Sequence, residues 1–314
     1  MKLFIRRTIL FIPYCFAIYL VLITIWGSFL PYFFTPNLTY KKGGYGYQYS
    51  RINEIKNHGD TDIVVLGSSH AYRGFDPRIF EKRDIELFNL GSSNQTPLQT
   101  KLLVDRYLNK LSPEIVIYEV YPLTFTSDGV ESSVDIIAND SIGWDTIQMA
   151  YEINKLKTYN TLFFGLMEQF VLPSKKFTEP RKKNNDTYIN GGFVTKDLKF
   201  YDPVSYPKKS WRWNKQNFRV FEEIVETIKT EDIKLILVQA PVTKTHYRSY
   251  TNNAESDSMI SRYGKYYNFN KIMNLNDSLH FYDKHHLNQK GVTLFNNRLI
   301  NILSQDKRFS KVTE

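Results

Sequence analysis

The segment Asp62-Ile63-Val64-Val65-Leu66-Gly67-Ser68-Ser69-His70 is the most informative part of this chain for its architecture. Its first half is a short, continuous apolar run, which is typical of a strand buried on both faces of a parallel sheet. Gly67 ends the run, and two serines follow it. Because open parallel sheets bind ligands beyond the carboxyl ends of their strands, these serines stand where such a fold places functional groups.

Similar apolar runs recur along the chain and alternate with helical patterns. Further strands are predicted at 85–90, 115–121 and 233–240. Apolar residues at i, i+3, i+4 and i+7 predict helices at 96–111, at 221–228 and from Gly291 onwards. Strands that alternate with helices imply an α/β fold, here a flavodoxin-like three-layer sandwich with a mostly parallel sheet.

The N-terminus carries a long apolar segment. Three basic residues among the first seven precede an uncharged stretch at 8–40, which has an apolar centre at 9–34. About 20 apolar residues cross a bilayer, whereas cleaved signals have apolar cores of only about 7–15. An uncleaved, single-pass signal anchor at 1–35 is therefore predicted. The basic cluster favours a cytoplasmic N-terminus and a periplasmic or otherwise extracytoplasmic catalytic domain.

Changes in composition mark the remaining boundaries. Residues 36–59 are expected to form a polar, glycine-rich linker, 60–304 the globular domain, and 305–314 a tail. Within the domain, 123–214 has weak periodicity. We interpret this stretch as an insertion or lid, with short helices of its own near 145–170.

The chain has a net charge of +9 and a single cysteine, Cys15. The charge is explained either by solvated loops and the anchor flank or by attraction to anionic glycans or lipid head groups. A basic run inside the insertion could likewise be a solvated loop or a contact for an anionic polymer. It consists of Lys175, Lys176, Arg181, Lys182 and Lys183. Nucleic acid is not an expected partner, because the sequence has no zinc finger and no long basic helix. A lone cysteine excludes an intrachain disulfide, and neither cofactor nor metal is predicted.

Three loops at the expected sheet edge carry groups suited to acyl transfer. Ser69 follows the first strand, the segment 89–94 (Asn-Leu-Gly-Ser-Ser-Asn) follows the second, and Asp283 and His286 precede the last helix. A serine hydroxyl needs an imidazole to take its proton, and the imidazole needs a carboxylate to fix its tautomer. An oxyanion needs backbone N–H donors, which a glycine-rich turn can supply. We therefore interpret Ser69 as nucleophile and His286 as base.

These blocks resemble the SGNH/GDSL hydrolase superfamily. Gly67-Ser68-Ser69 is similar to its Gly-x-Ser block, and Asp283 with His286 is similar to its Asp-x-x-His block. The resemblance covers about 60–125 and 230–303. It implies a catalytic triad in which Asp283 orients His286.

The resemblance also implies an oxyanion site. The backbone N–H groups of Ser69 and Asn94 would hold the oxyanion, with Gly91 shaping the loop and His70 beside the nucleophile. Two blocks depart from the family. Asn94 stands where the second glycine is usual, and Glu119-Val120-Tyr121-Pro122 stands where Gly-x-Asn is usual.

The loss of the Gly-x-Asn block resembles that in a membrane-anchored branch that includes the D-alanylation protein of teichoic acids and the alginate acetylation proteins, and the Gly-Ser-Ser form of the first block is also similar to theirs. This resemblance implies a serine-dependent O-acyl esterase or transferase that acts on cell-envelope polysaccharide. The acyl group is expected to be acetyl. Its substrates would be an acylated glycan or an acyl donor. Its partner would be a membrane-bound O-acyltransferase.

Other interpretations of single residues remain open. Ser69 could serve only as a helix cap. His285 could be the base, or a group formed by His280, Asp283, His285 and His286 could bind a metal. His70 could be structural. Trp211 and Trp213 could either pack locally or form a platform for sugar stacking.

Two other functions also remain open. The missing Gly-x-Asn block and the Asn94 substitution favour a catalytically silent SGNH-like binding or scaffold module of an envelope glycan-modification complex. A secreted lipase would use the same triad but needs an apolar acyl channel.

Overall fold

A computed structural model describes residues 1–172, 176–305 and 309. The strands within these residues are β1 (Ile63–Leu66), β2 (Leu87–Asn89), β3 (Ile115–Glu119), β4 (Lys182–Lys183), β5 (Asp186–Ile189), β6 (Phe193–Lys196), β7 (Lys234–Gln239) and β8 (Lys265–Asn268). The α-helices are α1 (Lys2–Phe29), α2 (Gln48–Asn57), α3 (Ser69–Gly74), α4 (Pro77–Glu81), α5 (Pro97–Leu111), α6 (Val130–Asn139), α7 (Trp144–Ile153), α8 (Leu156–Phe170), α9 (Lys215–Thr230), α10 (Lys244–Ser249), α11 (Asn253–Ile260), α12 (Phe269–Ile272), α13 (Asp277–His280) and α14 (Gln289–Leu303).

The chain divides into two compact units. The anchor unit consists of residues 1–42 and 133–178, and the sheet unit consists of residues 43–132 and 179–314. The segment 123–214, which the sequence predicts as one insertion, is thus shared between the two units. Lys175 of its basic run lies outside the described residues, as does most of the predicted tail.

The sheet unit is built on a five-stranded parallel sheet in the order β2-β1-β3-β7-β8. Counted along the chain, this is the order 2-1-3-4-5 of the flavodoxin-like fold. The direction of winding reverses between β1 and β3, which is where such sheets place their ligands. The predicted fold class is confirmed.

Helices cover both faces of this sheet because its strands are apolar on both faces. Val65 and Ile117 belong to one buried core cluster with Phe295 of α14. Successive residues of a strand point to opposite faces, so Tyr118 lies on the other face. There it packs against Phe221 of α9, with 5.3 Å between the ring centroids.

All four predicted strands are present and are shorter by up to two residues at an end. The sequence does not reveal β8, because its residues at 265–267 are exposed or half-buried and form no apolar run. Of the small antiparallel sheet β4-β5-β6, the sequence indicates only the hairpin-like turn Asn190-Gly191-Gly192 between β5 and β6, because the short strands are largely half-exposed. Edge strands and small surface sheets lack the continuous apolar pattern that identifies buried strands.

The predicted linker at 36–59 contains a helix, α2, which corrects that expectation for its second half. Ile52 and Ile55 are three residues apart and fully buried. Arg51 is also buried, and its guanidinium donates hydrogen bonds to the carbonyl oxygen of Gly192 at 2.9 and 3.1 Å. The helix therefore belongs to the core of the sheet unit.

The anchor unit contains α1, the one helix among the described residues that is long and apolar enough to span a membrane. Pro13 lies inside it. One side of α1 packs on α8, where Phe16 meets Phe163 edge to face at 5.5 Å. The Tyr19 hydroxyl donates a hydrogen bond to Asn160 of the same helix. Helices α7 and α8 occupy the region where the sequence predicts short helices.

Candidate active site

Ser69 begins α3 directly after the turn that follows β1. Gly67 in this turn has a φ of 136°, and a Cβ there would lie 2.8 Å from the carbonyl oxygen of Glu119, so only glycine fits. The helix cap is Ser68, whose hydroxyl accepts from the N–H of His70 at 3.5 Å. Ser69 is therefore not needed as the cap, and its hydroxyl is available for other contacts.

The structure brings Ser69, His286 and Asp283 together. The distance from His286 Nε2 to Ser69 Oγ is 2.8 Å, and the distance from His286 Nδ1 to Asp283 Oδ2 is also 2.8 Å. A carboxylate can only accept, so Nδ1–H donates to Asp283 and leaves Nε2 to accept from the serine hydroxyl. Asp283 Oδ1 accepts the backbone N–H groups of His285 and His286, each at 2.8 Å. Thus His286, and not His285, faces the serine.

The electrostatics of the site keep the carboxylate charged. Burial by itself raises the pKa of Asp283, but the hydrogen bond from His286 and the nearby imidazoles lower this pKa well below its ordinary value. Burial and the proximity of His286 lower the pKa of both His70 and His285 far below the usual histidine value. Burial also lowers the pKa of His246 to about 4. These three histidines are therefore neutral at pH 7.

His70 connects the turn before the predicted nucleophile (the nucleophile turn, residues 67–68) to the loop that carries the predicted base (the base loop, residues 283–286). Its side chain is buried, and its Nε2 lies 2.7 Å from the carbonyl oxygen of His285, so Nε2–H is the donor. The ring also stacks on His286, with 5.1 Å between the centroids. His70 therefore fixes the backbone next to His286 without reaching Ser69 in any described contact.

A group of three histidines could be considered for a metal. Ligand atoms of His70, His285 and His286 lie within 4.8 Å of one another. However, His286 uses both ring nitrogens in the contacts to Asp283 and Ser69, and His70 uses Nε2 on a carbonyl oxygen. His280 is engaged elsewhere, since its Nδ1 accepts from the N–H of Asn276. The donor set fits a hydrogen-bonded relay better than a metal centre.

The loop after β2 packs against the nucleophile turn. A Cβ on Gly91 would lie 2.7 Å from the carbonyl oxygen of Ser68, so this close approach needs glycine. Asn94 has a φ of 51°, in the left-handed region that asparagine tolerates, which explains how it replaces a glycine. Ser69 and Asn94 both line the cleft. Within the described part of the chain, neither backbone N–H has a protein acceptor.

The cleft around Ser69 has a volume of about 590 Å³. Its walls include several charged side chains that the sequence analysis did not single out: Arg73, Glu131, Lys196 and Lys199. Arg73 lies four residues after Ser69 on α3, a spacing that puts both side chains on one side of a helix and could have indicated it. Lys196 ends β6, and Lys199 lies three residues after it. No pattern in the sequence predicts that either residue lines the cleft.

A tyrosine follows β3, where the SGNH/GDSL pattern has the asparagine of Gly-x-Asn. Tyr121 lines the cleft, packs on His70 at 4.1 Å between the ring centroids, and its hydroxyl lies 3.0 Å from His246 Nε2. Glu119 is fully buried beneath the nucleophile turn, and burial raises its pKa to about 8. Trp211 is buried and stacks on Tyr250 at 3.4 Å, so this side chain packs locally, whereas Trp213 is half-buried.

No protein-family model matches the sequence, and no curated protein matches it significantly. Among solved structures, the chain is similar to a GDSL-like lipase from Bacteroides thetaiotaomicron, with 11% identity, a TM-score of 0.43, and coverage of 83% of this chain and 98% of that chain. It is also similar to a candidate acylhydrolase from Bacteroides fragilis, with 11% identity, a TM-score of 0.41, and coverage of 87% and 100%. A gut microbial diltiazem-metabolizing enzyme is similar at 14% identity and a TM-score of 0.29, over 77% of this chain and 46% of that chain. At these scores, the residues of the cleft have to support any inference about activity.

Proposed function

We propose that the protein is a serine-dependent O-acyl esterase or O-acyltransferase of the SGNH/GDSL type. The observation that carries this proposal is the continuous relay from Asp283 through His286 to Ser69, with both contacts at 2.8 Å. The relay opens onto a cleft large enough for a small ester or part of a sugar. A serine joined in this way to an imidazole that a carboxylate orients is an activated nucleophile.

In the first half of the reaction, Ser69 Oγ forms a bond to the acyl carbon while His286 Nε2 takes the hydroxyl proton. Asp283 stays ionised and stabilises the imidazolium. The carbonyl oxygen becomes an oxyanion, for which the backbone N–H groups of Ser69 and Asn94 are the proposed donors. When the intermediate collapses, the bond to the leaving alcohol breaks and the alcohol takes the proton from His286.

In the second half, the acyl-enzyme passes its group to water or to a sugar hydroxyl. His286 accepts the proton of the attacking oxygen and returns it to Ser69 Oγ as the acyl ester breaks. Hydrolysis and transfer differ only in which hydroxyl enters the cleft. For transfer, a membrane-bound O-acyltransferase is the proposed partner that delivers acyl groups.

The proposed substrate is an O-acylated polysaccharide of the cell envelope, which the enzyme would bind outside the cytoplasm. The proposed acyl group is acetyl. The cleft supports a short acyl group, because Leu123 is the one aliphatic side chain among the described residues that line it. Its polar and charged walls suit a glycan better than the long acyl chain of a lipid. The apolar helix α1, with basic residues before its centre, supports attachment to a membrane with the N-terminus inside.

The test is covalent labelling of the full-length chain in detergent with a fluorophosphonate probe. We expect the wild type to be labelled, and Ser69→Ala and His286→Ala to lose the label. Ser261→Ala, at an exposed serine, serves as the matched control and keeps it. If the folded wild type is not labelled, the silent binding or scaffold module becomes the better interpretation.

A further inference from the structure

The cleft has a cationic wall, formed by Arg73 of α3, Lys196 at the end of β6, and Lys199. We propose that this wall binds an anionic group, a carboxylate or a phosphate, carried by the alcohol part of the substrate. The inference rests on the proposed esterase or transferase activity, and it names the charge class of the substrate. The second sheet of the sheet unit, β4-β5-β6, then has a role in specificity.

The wall carries more positive than negative charge. Asp186 of β5 accepts hydrogen bonds from Arg73 Nη1 and Nη2 at 3.2 and 2.8 Å, and from Lys196 Nζ at 2.8 Å. Burial by itself raises the pKa of Asp186, but its bonds to Arg73 and Lys196 lower the pKa below its usual value. One ionised carboxylate therefore balances only one of the two cations. Lys199, which is exposed, adds a further positive charge.

The cation pair is partly withdrawn from water, which strengthens its effect. The exposed fractions of the side chains are 13% for Arg73, 23% for Asp186 and 26% for Lys196. Charges in such surroundings are screened less by water and salt than charges on an open surface. An uncompensated charge here therefore attracts an anion more strongly than a solvated surface lysine does.

The wall lies next to the reacting groups. Lys196 Nζ is 5.4 Å from the centre of the Tyr282 ring, and that ring stacks on His286 with 5.4 Å between centroids. A single aromatic ring thus separates the cation from the base. His286 is also the group that protonates the leaving alcohol, so an anion bound at Lys196 places the alcohol part close to its proton donor.

The negative groups of the cleft do not cancel this wall. Asp283 is held by His286 and by two backbone N–H groups of its own loop. Glu131 accepts a hydrogen bond from Ser93 at 2.7 Å, on the loop after β2 that also carries Asn94. Both carboxylates are thus engaged by donors outside the wall, which leaves the surplus positive charge at Arg73, Lys196 and Lys199.

Three phenyl acetates test the inference on the full-length chain in neutral detergent: 4-acetoxybenzoate, 4-acetoxyphenyl phosphate and the uncharged methyl 4-acetoxybenzoate. We expect Lys196→Gln to lower kcat/KM about tenfold more for the charged esters than for the methyl ester, chiefly through KM. Added salt reduces the advantage of the charged esters. Whichever charged ester loses more identifies carboxylate or phosphate as the better ligand. Lys199→Gln is the second variant, and Lys229→Gln on α9 is the matched control.

The outcomes separate this inference from the proposed activity. Turnover of all three esters with no selective effect of either cleft variant overturns the cationic wall and leaves the esterase intact. If no ester is turned over, the proposed activity fails. Calorimetry with 4-hydroxybenzoate on Ser69→Ala then tests whether the cationic wall binds an anion. Saturable binding that Lys196→Gln abolishes supports the cationic wall, and absence of binding overturns it.

Discussion

At the scale of single residues, His70 joins two loops that come from distant parts of the chain. It donates from Nε2 to the carbonyl oxygen of His285, next to the proposed base, and it makes no described contact with Ser69 Oγ. His70 is therefore a positioning residue. Its effect on the reaction has to pass through the orientation of His286.

Replacing His70 tests this role. We expect His70→Leu to lower kcat about tenfold with little change in KM, because one hydrogen bond that orients the base is lost. His70→Gln keeps an N–H donor near the Nε2 position and restores most of the rate. The measurement is initial-rate kinetics on an acetate ester, beside thermal unfolding of each variant. Equal losses in both variants would point to a packing role alone.

The residues of the relay were predictable, as were His70 and Asn94 beside them, whereas Lys196 and Lys199 were not. Ser69, Asp283 and His286 stand at fixed spacings after a buried strand and before an amphipathic helix, so their pattern is local in the sequence. Their roles stay a prediction until the labelling experiment is done. Tyr121 and Lys196 reach the cleft only through tertiary packing, which no short spacing records.

At the scale of elements, the loop after β2 is pressed against the turn after β1. Gly91 does not have a positive φ, so a side chain there meets a steric conflict and no backbone strain. The conflict is with the carbonyl oxygen of Ser68 at 2.7 Å. This contact therefore sets the position of the nucleophile turn.

Gly91→Ala should displace that turn. We expect a loss of fluorophosphonate labelling of tenfold or more with a modest decrease in thermal stability, because the reacting atoms tolerate only small displacements. Gly264→Ala is the matched control, since its nearest neighbour lies 3.8 Å from the added methyl group. Full labelling of Gly91→Ala would show that the turn adapts.

The buried carboxyl group of Glu119, at the end of β3, should make the stability depend on pH. Burial raises the pKa of Glu119 to about 8 from an ordinary 4.5, so the folded state holds a proton that the unfolded state loses between these values. The free energy of unfolding therefore falls as the pH rises through this window, by at most about 1.4 kcal/mol per pH unit. Glu119→Gln removes this component.

Thermal unfolding between pH 5 and pH 9 measures the effect. We expect the stability of the wild type to fall more steeply with pH than that of Glu119→Gln. Glu226→Gln, at an exposed position of α9, should follow the wild type. Parallel curves for all three proteins would contradict a protonated Glu119 in the folded state.

The sequence predicts the elements of the sheet in proportion to their burial. Strands β1 and β3 are buried along their whole length and β7 along most of it, and all three form apolar runs. Helices α5, α9 and α14 have the periodicity of one buried face. Strand β8 lies at the sheet edge, and α2 contains the buried Arg51, so neither follows a simple hydrophobic pattern.

At the scale of the whole molecule, the apolar helix α1 would, as the proposed anchor, determine on which side of the membrane the cleft lies. Cys15 is the one cysteine of the chain, so Cys15→Ser gives a cysteine-free background for topology mapping. In this background, we expect Lys110→Cys, at the exposed end of α5, to react with a membrane-impermeant maleimide in intact cells. Lys2→Cys should react only after permeabilisation. The reverse pattern would contradict an extracytoplasmic cleft.

The overall organisation was only partly predictable. The apolar helix and the sheet follow from composition and periodicity, but the division of 123–214 between the anchor unit and the sheet unit does not. Residues 133–178 join the anchor unit through contacts such as that of Phe163 with Phe16. Contacts between residues so far apart in the chain leave no periodic trace, and the domain boundaries in solution stay a prediction.

The proposed nucleophile and base are 217 positions apart in the chain. During synthesis, Ser69 therefore leaves the ribosome long before the histidine that would activate it. A nascent chain carries an ordinary hydroxyl until His286 has been made, as does a chain truncated before His286. Such chains lack the proposed relay, so the proposed activity would begin only once synthesis has passed His286 and α14 has folded behind it.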